Sequence, residues 1–222
     1  MSRFNNKFVL FASVLITLLF STAAIMNENR IKGKILCFGD SITYGAFVRG
    51  YAWDDLLNKK SDSLFVVNAG RKGRKTSDKE ELLPVLRENL DAKYVLIFLG
   101  VNDLKDGNDS LVNSCIDNIT WMINKIKEEI PLAKIVLLAP TGINLKTMSE
   151  INVKKNYNLN TEKSLVKLES KYKALALKES VGFISLLNVV SPENYVDGLH
   201  PNKEGQREIA DAVWNGLNKL YK

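Results

Sequence analysis

Apolar and polar positions alternate in blocks along the chain after residue 30. Uncharged, apolar runs of four to six residues are typical of buried strands, and they occur at 35–38, 64–68, 94–99, 135–138 and 182–185. Longer segments with apolar positions three or four residues apart predict helices, at 52–59, 79–89, 111–130, 161–179 and 203–220. This alternation predicts an α/β fold in which a five-stranded parallel sheet is covered by helices on both faces.

Loops after the apolar runs are where chemistry is expected. In an open parallel sheet, ligands bind at the carboxyl ends of the strands. One further connection, residues 141–160, is long and polar and is predicted to be a surface loop or cap element.

The N-terminus follows a different pattern. Arg3 and Lys7 precede an uncharged run at 8–26, which ends in small residues at 21–24. This order is typical of a secretory signal peptide, although the run is also long enough for an uncleaved membrane anchor. Under either reading, the preceding positive charges keep that end in the cytoplasm. We therefore expect residues 1–26 to be a signal peptide or anchor, and residues 31–222 to be an exported domain that is secreted, periplasmic or on the cell surface.

Composition and charge narrow the class of protein. The 222 residues are 45% hydrophobic and 25% charged, which indicates a folded globular chain. The net charge is +6, of which Arg3 and Lys7 contribute two. The remaining excess is small and spread along the chain, so no nucleic-acid partner is predicted.

Two cysteines are present, Cys37 in a predicted strand and Cys115 on the apolar face of a predicted helix. An exported protein permits a disulfide, but these settings favour two separately buried thiols. Two cysteines and a single histidine cannot form an ordinary structural zinc site. No metal and no cofactor are predicted.

The loop after the first predicted strand contains a candidate nucleophile, Ser41, in the sequence Gly-Asp-Ser-Ile-Thr. A serine at a strand-to-helix turn can present its hydroxyl to a cleft, with its N–H directed towards the positive end of the next helix. It still needs a general base. Taken alone, the loop is equally typical of an ordinary turn.

The chain's one histidine, His200, lies in a polar loop just before the last predicted helix. Asp197, three residues earlier, can fold back to accept the imidazole N–H and fix its tautomer. A lone histidine is commonly structural, but His200 is the one histidine that can serve Ser41 as base.

Acyl transfer also needs donors for the developing oxyanion. Gly73, in the loop after the second predicted strand, can bring a bare backbone N–H close to substrate. Asn102, after the third, can donate its side-chain amide. Each residue by itself also suits an ordinary turn.

The chain thus contains four blocks, in this order: the Ser41 loop, Gly73, Asn102, and Asp197 with His200. Together they resemble the SGNH (GDSL-like) hydrolase family, which carries its four blocks in the same order. The similarity covers residues 34–220. It implies a flavodoxin-like three-layer α/β/α sandwich with Ser41 as nucleophile, His200 as base and Asp197 as third triad member. It also implies an oxyanion hole formed by Ser41, Gly73 and Asn102.

The predicted substrate contacts are Asp40, Trp53 and Arg74. Trp53 follows the nucleophile loop and suits either an acyl or sugar pocket or helix packing. Four basic residues flank Gly73, namely Arg71, Lys72, Arg74 and Lys75. Arg71 and Lys72 stand where members of the family often carry small or apolar residues. The four charges predict either a basic cleft rim that steers an anionic substrate or a solvated loop.

The sequence thus predicts a serine esterase that acts on a small-molecule, carbohydrate or lipid ester through an acyl-enzyme. Removal of acetyl groups from cell-surface carbohydrate is one refinement. A thioesterase, a lysophospholipase or an acyltransferase would use the same residues. A non-catalytic module with a phosphate in the first loop is the rival of another class, but it does not account for Asp197 and His200.

Overall fold

A parallel sheet of five strands forms the centre of the protein. The computed structural model describes residues 31–221, so the predicted signal peptide or anchor lies outside the described residues. The strands are β1 (Gly33–Gly39), β2 (Leu64–Gly70), β3 (Tyr94–Phe98), β4 (Lys134–Ala139) and β5 (Gly182–Ser185). Their order is β2-β1-β3-β4-β5, the flavodoxin-like order.

Six helices accompany the sheet, and five of them cover its two faces. They are α1 (Trp53–Asn58), α2 (Leu82–Arg87), α3 (Asp109–Glu129), α4 (Glu150–Lys154), α5 (Leu159–Glu179) and α6 (Lys203–Leu220), and short 3₁₀ segments occur at Thr76–Glu81, Leu145–Thr147 and Pro192–Asn194. Helices α2, α3 and α5 pack on one face, and α1 and α6 on the other. The predicted α/β/α sandwich with five parallel strands is confirmed.

Alternate side chains of the central strands supply two separate apolar cores, because successive residues of a strand point to opposite faces. One core contains Leu36, Phe38, Val95, Ile97, Ile135 and Leu137. The other contains Ile35, Cys37, Leu96, Phe98, Val136 and Leu138. Both cysteines are buried and free, Cys37 in the second core and Cys115 in the first. The preference for two separate buried thiols is confirmed.

The carboxyl ends of the three central strands lie level. Gly39 of β1 pairs with Gly70 of β2 and with Phe98 of β3. The order of the sheet reverses between β1 and β3, and this reversal opens a crevice where ligands bind. The loops after β1, β2 and β3 therefore meet at one place.

One local expectation needs correction. Ser41 is not followed directly by a regular helix. Residues 41–47 form irregular turns and α1 begins only at Trp53, so no helix dipole is aligned with the Ser41 N–H. For the long polar connection, the structure supports the second of the two predicted alternatives, a cap element. Between β4 and α5 it forms a cap segment (residues 141–158), which includes the short helix α4 and lines the cleft described below. Within residues 31–221, no helix is both long and apolar enough to cross a bilayer.

Candidate active site

Ser41, His200 and Asp197 lie in one hydrogen-bonded row at the carboxyl edge of the sheet. The Ser41 hydroxyl oxygen is 3.0 Å from Nε2 of His200. On the other side of the ring, Nδ1 is 2.9 Å from Oδ2 of Asp197 and 3.1 Å from its Oδ1. Because Asp197 accepts a hydrogen bond at Nδ1, the neutral ring carries its proton there and leaves Nε2 free to accept from Ser41.

A tight turn creates the Asp197–His200 pair. Oδ1 of Asp197 accepts the backbone N–H groups of Leu199 and His200, at 3.1 and 2.8 Å. Gly198 has a φ of 77°, and a Cβ there would lie 2.6 Å from the Asn144 carbonyl oxygen. Glycine is therefore required both for the left-handed backbone and for the close contact with the cap segment.

Asp197 is held in its ionised form. Partial burial acts to raise the pKa of Asp197, but the hydrogen bonds from His200 and Leu199 outweigh it and lower that pKa well below its usual range. The carboxylate therefore stays charged wherever the imidazole needs a negative partner.

The loop that contains Ser41 is held by contacts with the end of β2 and with α6. Oδ1 of Asp40 accepts the Ile42 N–H at 2.9 Å. Any Cβ on Gly70 would lie 2.2 Å from the Tyr44 backbone nitrogen, so the loop rests directly on the end of β2. Gln206 of α6 is fully buried and donates to the Ile42 carbonyl oxygen at 3.3 Å.

Gln206 was missed by the sequence reasoning. A sequence pattern does mark Gln206, because it lies three residues before Ile209 and therefore on the buried face of the last helix. A polar residue at such a position has to find a buried partner.

The three predicted oxyanion donors converge on the same cleft. Gly73 has a φ of 73° and open space where a side chain would be. In the described part of the chain, the backbone N–H groups of Ser41 and Gly73 have no hydrogen-bond partner. Asn102 lines the same cleft, so all three predicted donors border one space that also includes the Ser41 side chain.

The Asn102 side chain is held by three partners. Its Nδ2 lies 3.3 Å from Oδ2 of Asp40 and 3.2 Å from the Arg74 carbonyl oxygen. Because a carbonyl can only accept, Nδ2 must face that side. Its Oδ1 accepts the Tyr157 hydroxyl at 2.8 Å.

Tyr157 is the second residue that sequence reasoning missed. It is 3% exposed and reaches Asn102 from the cap segment. No local pattern marks it, because its position near Asn102 depends on how the connection after β4 folds back across the cleft.

Asp40 does not contact the cleft. It is 1% exposed and is occupied by Ile42 and Asn102. Burial raises its pKa to about 6, against the opposing effects of the Ile42 N–H and the His200 side chain. Its predicted role as a substrate contact is therefore replaced by that of a support for Asn102.

Trp53 is likewise not a cleft residue. Its side chain is fully buried in the core beneath the loop, where it packs edge-on against Phe98. Its Nε1 donates to the Thr43 hydroxyl at 3.3 Å, and its backbone N–H donates to Gln206 at 2.9 Å. Of the two predicted roles, the structure supports helix packing and not a substrate pocket.

Arg74 also points away from the rim. Its guanidinium donates to the carbonyl oxygens of Gly39 and Ala69 and to Glu81. It stacks 4.1 Å above the Phe38 ring and is 5% exposed. Arg74 therefore ties the ends of β1 and β2 together, and the prediction that it contacts substrate is wrong.

The cleft above Ser41 has a volume of about 300 Å³. It is lined by Ser41, Ala46, Phe47, Lys72, Gly73, Asn102, Lys105, Asn152, Lys155, Tyr157, Leu199 and His200. Phe47 adopts a left-handed φ of 68° and packs edge-on against His200. Among residues 31–221, no three His, Cys, Asp or Glu side chains are grouped to hold a metal ion.

Comparison with known proteins identifies the family of the chain. Residues 37–208 match the GDSL-like lipase/acylhydrolase family. The chain is 27% identical to the thioesterase 1/protease 1/lysophospholipase L1 of Escherichia coli K12, over 99% of this chain and 98% of that one. It is 28% identical to an isoamyl acetate-hydrolyzing esterase 1 homolog of Homo sapiens, over 84% of this chain and 82% of that one.

The fold is shared with solved esterases. An aryl esterase of M. smegmatis has a TM-score of 0.74 at 23% identity, over 86% of this chain and all of that one. A carbohydrate acetylesterase family member from Sinorhizobium meliloti has a TM-score of 0.73 at 19% identity, over 86% and 99%. With the family match covering most of the sequence, the chain belongs to the GDSL-like lipase/acylhydrolase family and is a hydrolase of ester bonds.

Proposed function

We propose that the chain hydrolyses short-chain carboxylic esters through an acyl-enzyme on Ser41. The observation that carries the proposal is the hydrogen-bonded row from Ser41 through His200 to Asp197, which ends in a cleft lined by Gly73 and Asn102.

In the first step, Nε2 of His200 takes the Ser41 proton as the hydroxyl oxygen attacks the ester carbonyl. Asp197 stabilises the imidazolium that forms. The imidazolium then gives its proton to the departing alcohol. In the second step, His200 activates water, which releases the acid and restores Ser41.

The oxyanion is held by the N–H groups of Ser41 and Gly73 together with Nδ2 of Asn102. The two amide contacts that Asn102 already makes are long, at 3.2 and 3.3 Å. These contacts are therefore weak, and the amide can share an N–H with the developing oxyanion, which is a stronger acceptor because it is charged. The N–H groups of Ser41 and Gly73 have no other partner among residues 31–221, so they can stabilise the transition state without first breaking a hydrogen bond.

The size of the cleft favours a small acyl group. A volume of about 300 Å³ is at the lower end of the range for ligand pockets. An acetyl ester fits this space more readily than a long fatty acyl chain. The similarity to a carbohydrate acetylesterase supports an acetylated carbohydrate as one natural substrate. The relative named as a thioesterase and lysophospholipase supports the alternative proposal, a substrate with a longer acyl chain.

A panel of 4-nitrophenyl esters of increasing acyl length tests the proposal. Wild type should be most active on acetate and butyrate, and Ser41→Ala should lose activity by about a million-fold in kcat. Ser114→Ala, which alters an exposed serine of α3, is the matched control. Unchanged activity in Ser41→Ala would refute the nucleophile, and a maximum at long chains would refute the acyl preference. Product analysis with an added alcohol separates hydrolysis from acyl transfer.

We also propose that the enzyme acts outside the cytoplasmic membrane. The support is the positively flanked apolar run at 8–26 in the sequence. Fractionation of cells that produce the full chain, with N-terminal sequencing of the product, tests this. Recovery of the whole chain from the soluble cytoplasm would refute export.

A further inference from the structure

Three lysines from three different loops line the cleft. Lys72 follows β2, Lys105 follows β3, and Lys155 belongs to the cap segment. None of the residues that line the cleft is an aspartate or glutamate. The entrance is therefore positive, although the sequence placed this charge partly on Arg71 and Arg74.

The acidic residues nearby are already occupied. Arg71 pairs with Asp78 and Glu81, and Arg74 pairs with Glu81. In the described part of the chain, no carboxylate lies within ion-pair distance of Lys72, Lys105 or Lys155.

The carboxylates beneath the cleft also face other partners. Asp197 binds His200, and Asp40 binds Ile42 and Asn102. Asp103 accepts from the Thr76 hydroxyl and backbone N–H. Asp103 acts on Lys105 without forming an ion pair with it, so the positive charge at the entrance is offset only in part from below.

Aromatic rings hold two of the lysines in place. The Lys72 ammonium lies 5.0 Å from the centre of the Tyr44 ring, and the Lys105 ammonium lies 5.4 Å from that of Tyr157. Such contacts orient an ammonium group without cancelling its charge.

Like charges repel at this entrance. Partial burial lowers the pKa of Lys105, and the positive charges of Lys75 and Lys155 lower it further, against the opposing effect of Asp103. An anion bound between these side chains would relieve that repulsion.

We infer that the cleft selects esters whose alcohol portion carries an anionic group, a carboxylate or a phosphate, bound by Lys72, Lys105 and Lys155. This inference rests on the proposed esterase function and names its substrate class. The charge belongs on the alcohol portion for reasons of space. With the proposed small acyl group placed at Ser41, the exposed Lys72 and Lys155 of the same cleft are left to the larger alcohol portion.

The test compares matched pairs of esters. For the alcohol portion, 4-acetoxybenzoate and 4-acetoxyphenyl phosphate are compared with neutral methyl 4-acetoxybenzoate. For the acyl portion, 4-nitrophenyl hemisuccinate is compared with neutral 4-nitrophenyl butyrate. The triple variant Lys72→Gln, Lys105→Gln, Lys155→Gln is assayed beside wild type, both as full chains.

In the triple variant, the ratio of kcat/KM for anionic esters to kcat/KM for neutral esters should be about ten- to hundred-fold lower than in wild type. This applies to the pairs that differ in the alcohol portion, since charged clefts raise encounter rates by such factors. In wild type, this ratio should also fall as salt is added, because exposed charges are screened. The relative loss on the phosphate and the carboxylate shows which anion the lysines prefer.

A charge-matched control removes three exposed lysines elsewhere, by Lys173→Gln, Lys178→Gln and Lys219→Gln. It lowers the net charge equally and should leave the ratio unchanged. An equal fall in the control, an unchanged ratio in the cleft variant, or a fall confined to the hemisuccinate pair would each overturn the inference.

Binding separates this inference from the proposed function. The product 4-hydroxybenzoate should bind the Ser41→Ala variant, and removal of the three lysines in that background should weaken binding by about ten-fold or more. Calorimetry reports this without turnover. Equal affinity with and without the lysines overturns the inference even where esterase activity is found, and loss of affinity supports it even where that activity fails.

Discussion

The two sides of the cleft are assembled over very different distances along the chain. On the side proposed for acid–base chemistry (the acid–base side), Asp197 and His200 are three residues apart and meet through one tight turn. On the side proposed to bind the oxyanion (the oxyanion side), Asn102 depends on partners 62, 28 and 55 residues away in sequence, namely Asp40, Arg74 and Tyr157. A short motif therefore contains nearly all of the acid–base pair, whereas the oxyanion side requires the connections after four strands, β1 to β4.

The sides differ in chemistry as well. Phe47 and Leu199 give the acid–base side an apolar wall, while Lys72, Lys105 and Lys155 lie on loops adjoining the oxyanion donors. The cap segment joins the two sides, because Asn152 donates to the Asp197 carbonyl oxygen at 3.1 Å and Tyr157 donates to Asn102.

Of the two sides, the acid–base side is expected to show the larger effect. Asp197→Asn should lower kcat by about ten-thousand-fold, because an amide cannot stabilise the imidazolium or keep the productive tautomer. Steady-state kinetics on 4-nitrophenyl acetate measure it. The Oδ1 atom that the variant retains can still accept the Leu199 and His200 N–H groups. The free energy of unfolding of Asp197→Asn should therefore stay close to that of wild type. A loss below ten-fold would contradict the assignment of Asp197.

A smaller loss is expected on the oxyanion side. Asn102→Ala should lower kcat by about a hundred- to thousand-fold with little change in KM, since its amide acts mainly as charge develops on the oxygen. The Ser41 and Gly73 N–H groups should retain the rest. If KM rose while kcat stayed constant, Asn102 would be a ground-state binding residue instead.

The hydroxyl of Tyr157 tests whether the cap segment supports the oxyanion side. Tyr157→Phe removes the hydrogen bond that fixes Oδ1 of Asn102, and kcat should fall about ten-fold with KM nearly constant. Tyr195→Phe is the matched control, because its hydroxyl also braces the cap segment, donating to the Gly142 carbonyl oxygen at 2.9 Å. Equal losses in the two variants would show a general effect on the cap.

The smallest effect on activity is expected outside both sides, at Asp54 in α1. This carboxyl is 2% exposed, and its Oδ1 has no hydrogen-bond partner among residues 31–221. Burial, with repulsion from Asp55, raises the pKa of Asp54 from 3.8 to about 7. The folded state thus holds this proton more tightly than the unfolded state does.

The sign of the pH effect follows from this difference. Ionised Asp54 weakens the fold above pH 7, and stability is regained as pH falls from about 7 to 4. Relative to Asp54→Asn, the wild-type free energy of unfolding should rise over that range by up to about 1.4 kcal/mol per pH unit. Urea unfolding at several pH values measures it. Exposed Asp62→Asn should run parallel to wild type, and a parallel curve for Asp54→Asn would contradict the raised pKa.

Much of the fold could be predicted from local pattern. All five strands coincide with apolar runs, and the helices at 111–130, 161–179 and 203–220 lie within two residues of the observed bounds. The errors fall where tertiary contacts decide. Trp53 and Arg74 have side chains suited to binding substrate, yet both are buried by the packing of α1, α6 and the strand ends.

The sequence by itself determined the order of strands and helices, the separate burial of Cys37 and Cys115, and the identity of the Ser41, Asp197 and His200 motifs. These follow from periodicity and from residues close together in the chain. Only the tertiary structure decided which charges reach the cleft and which buried side chains hold Asn102. A basic residue in a loop is steered towards or away from a cleft by its nearest carbonyl and carboxylate groups. Arg74 donates to such partners, the Gly39 carbonyl and Glu81, and so lies away from the cleft. Lys105 and Lys155 line the cleft, and they belong to loops whose proximity the sequence alone does not predict.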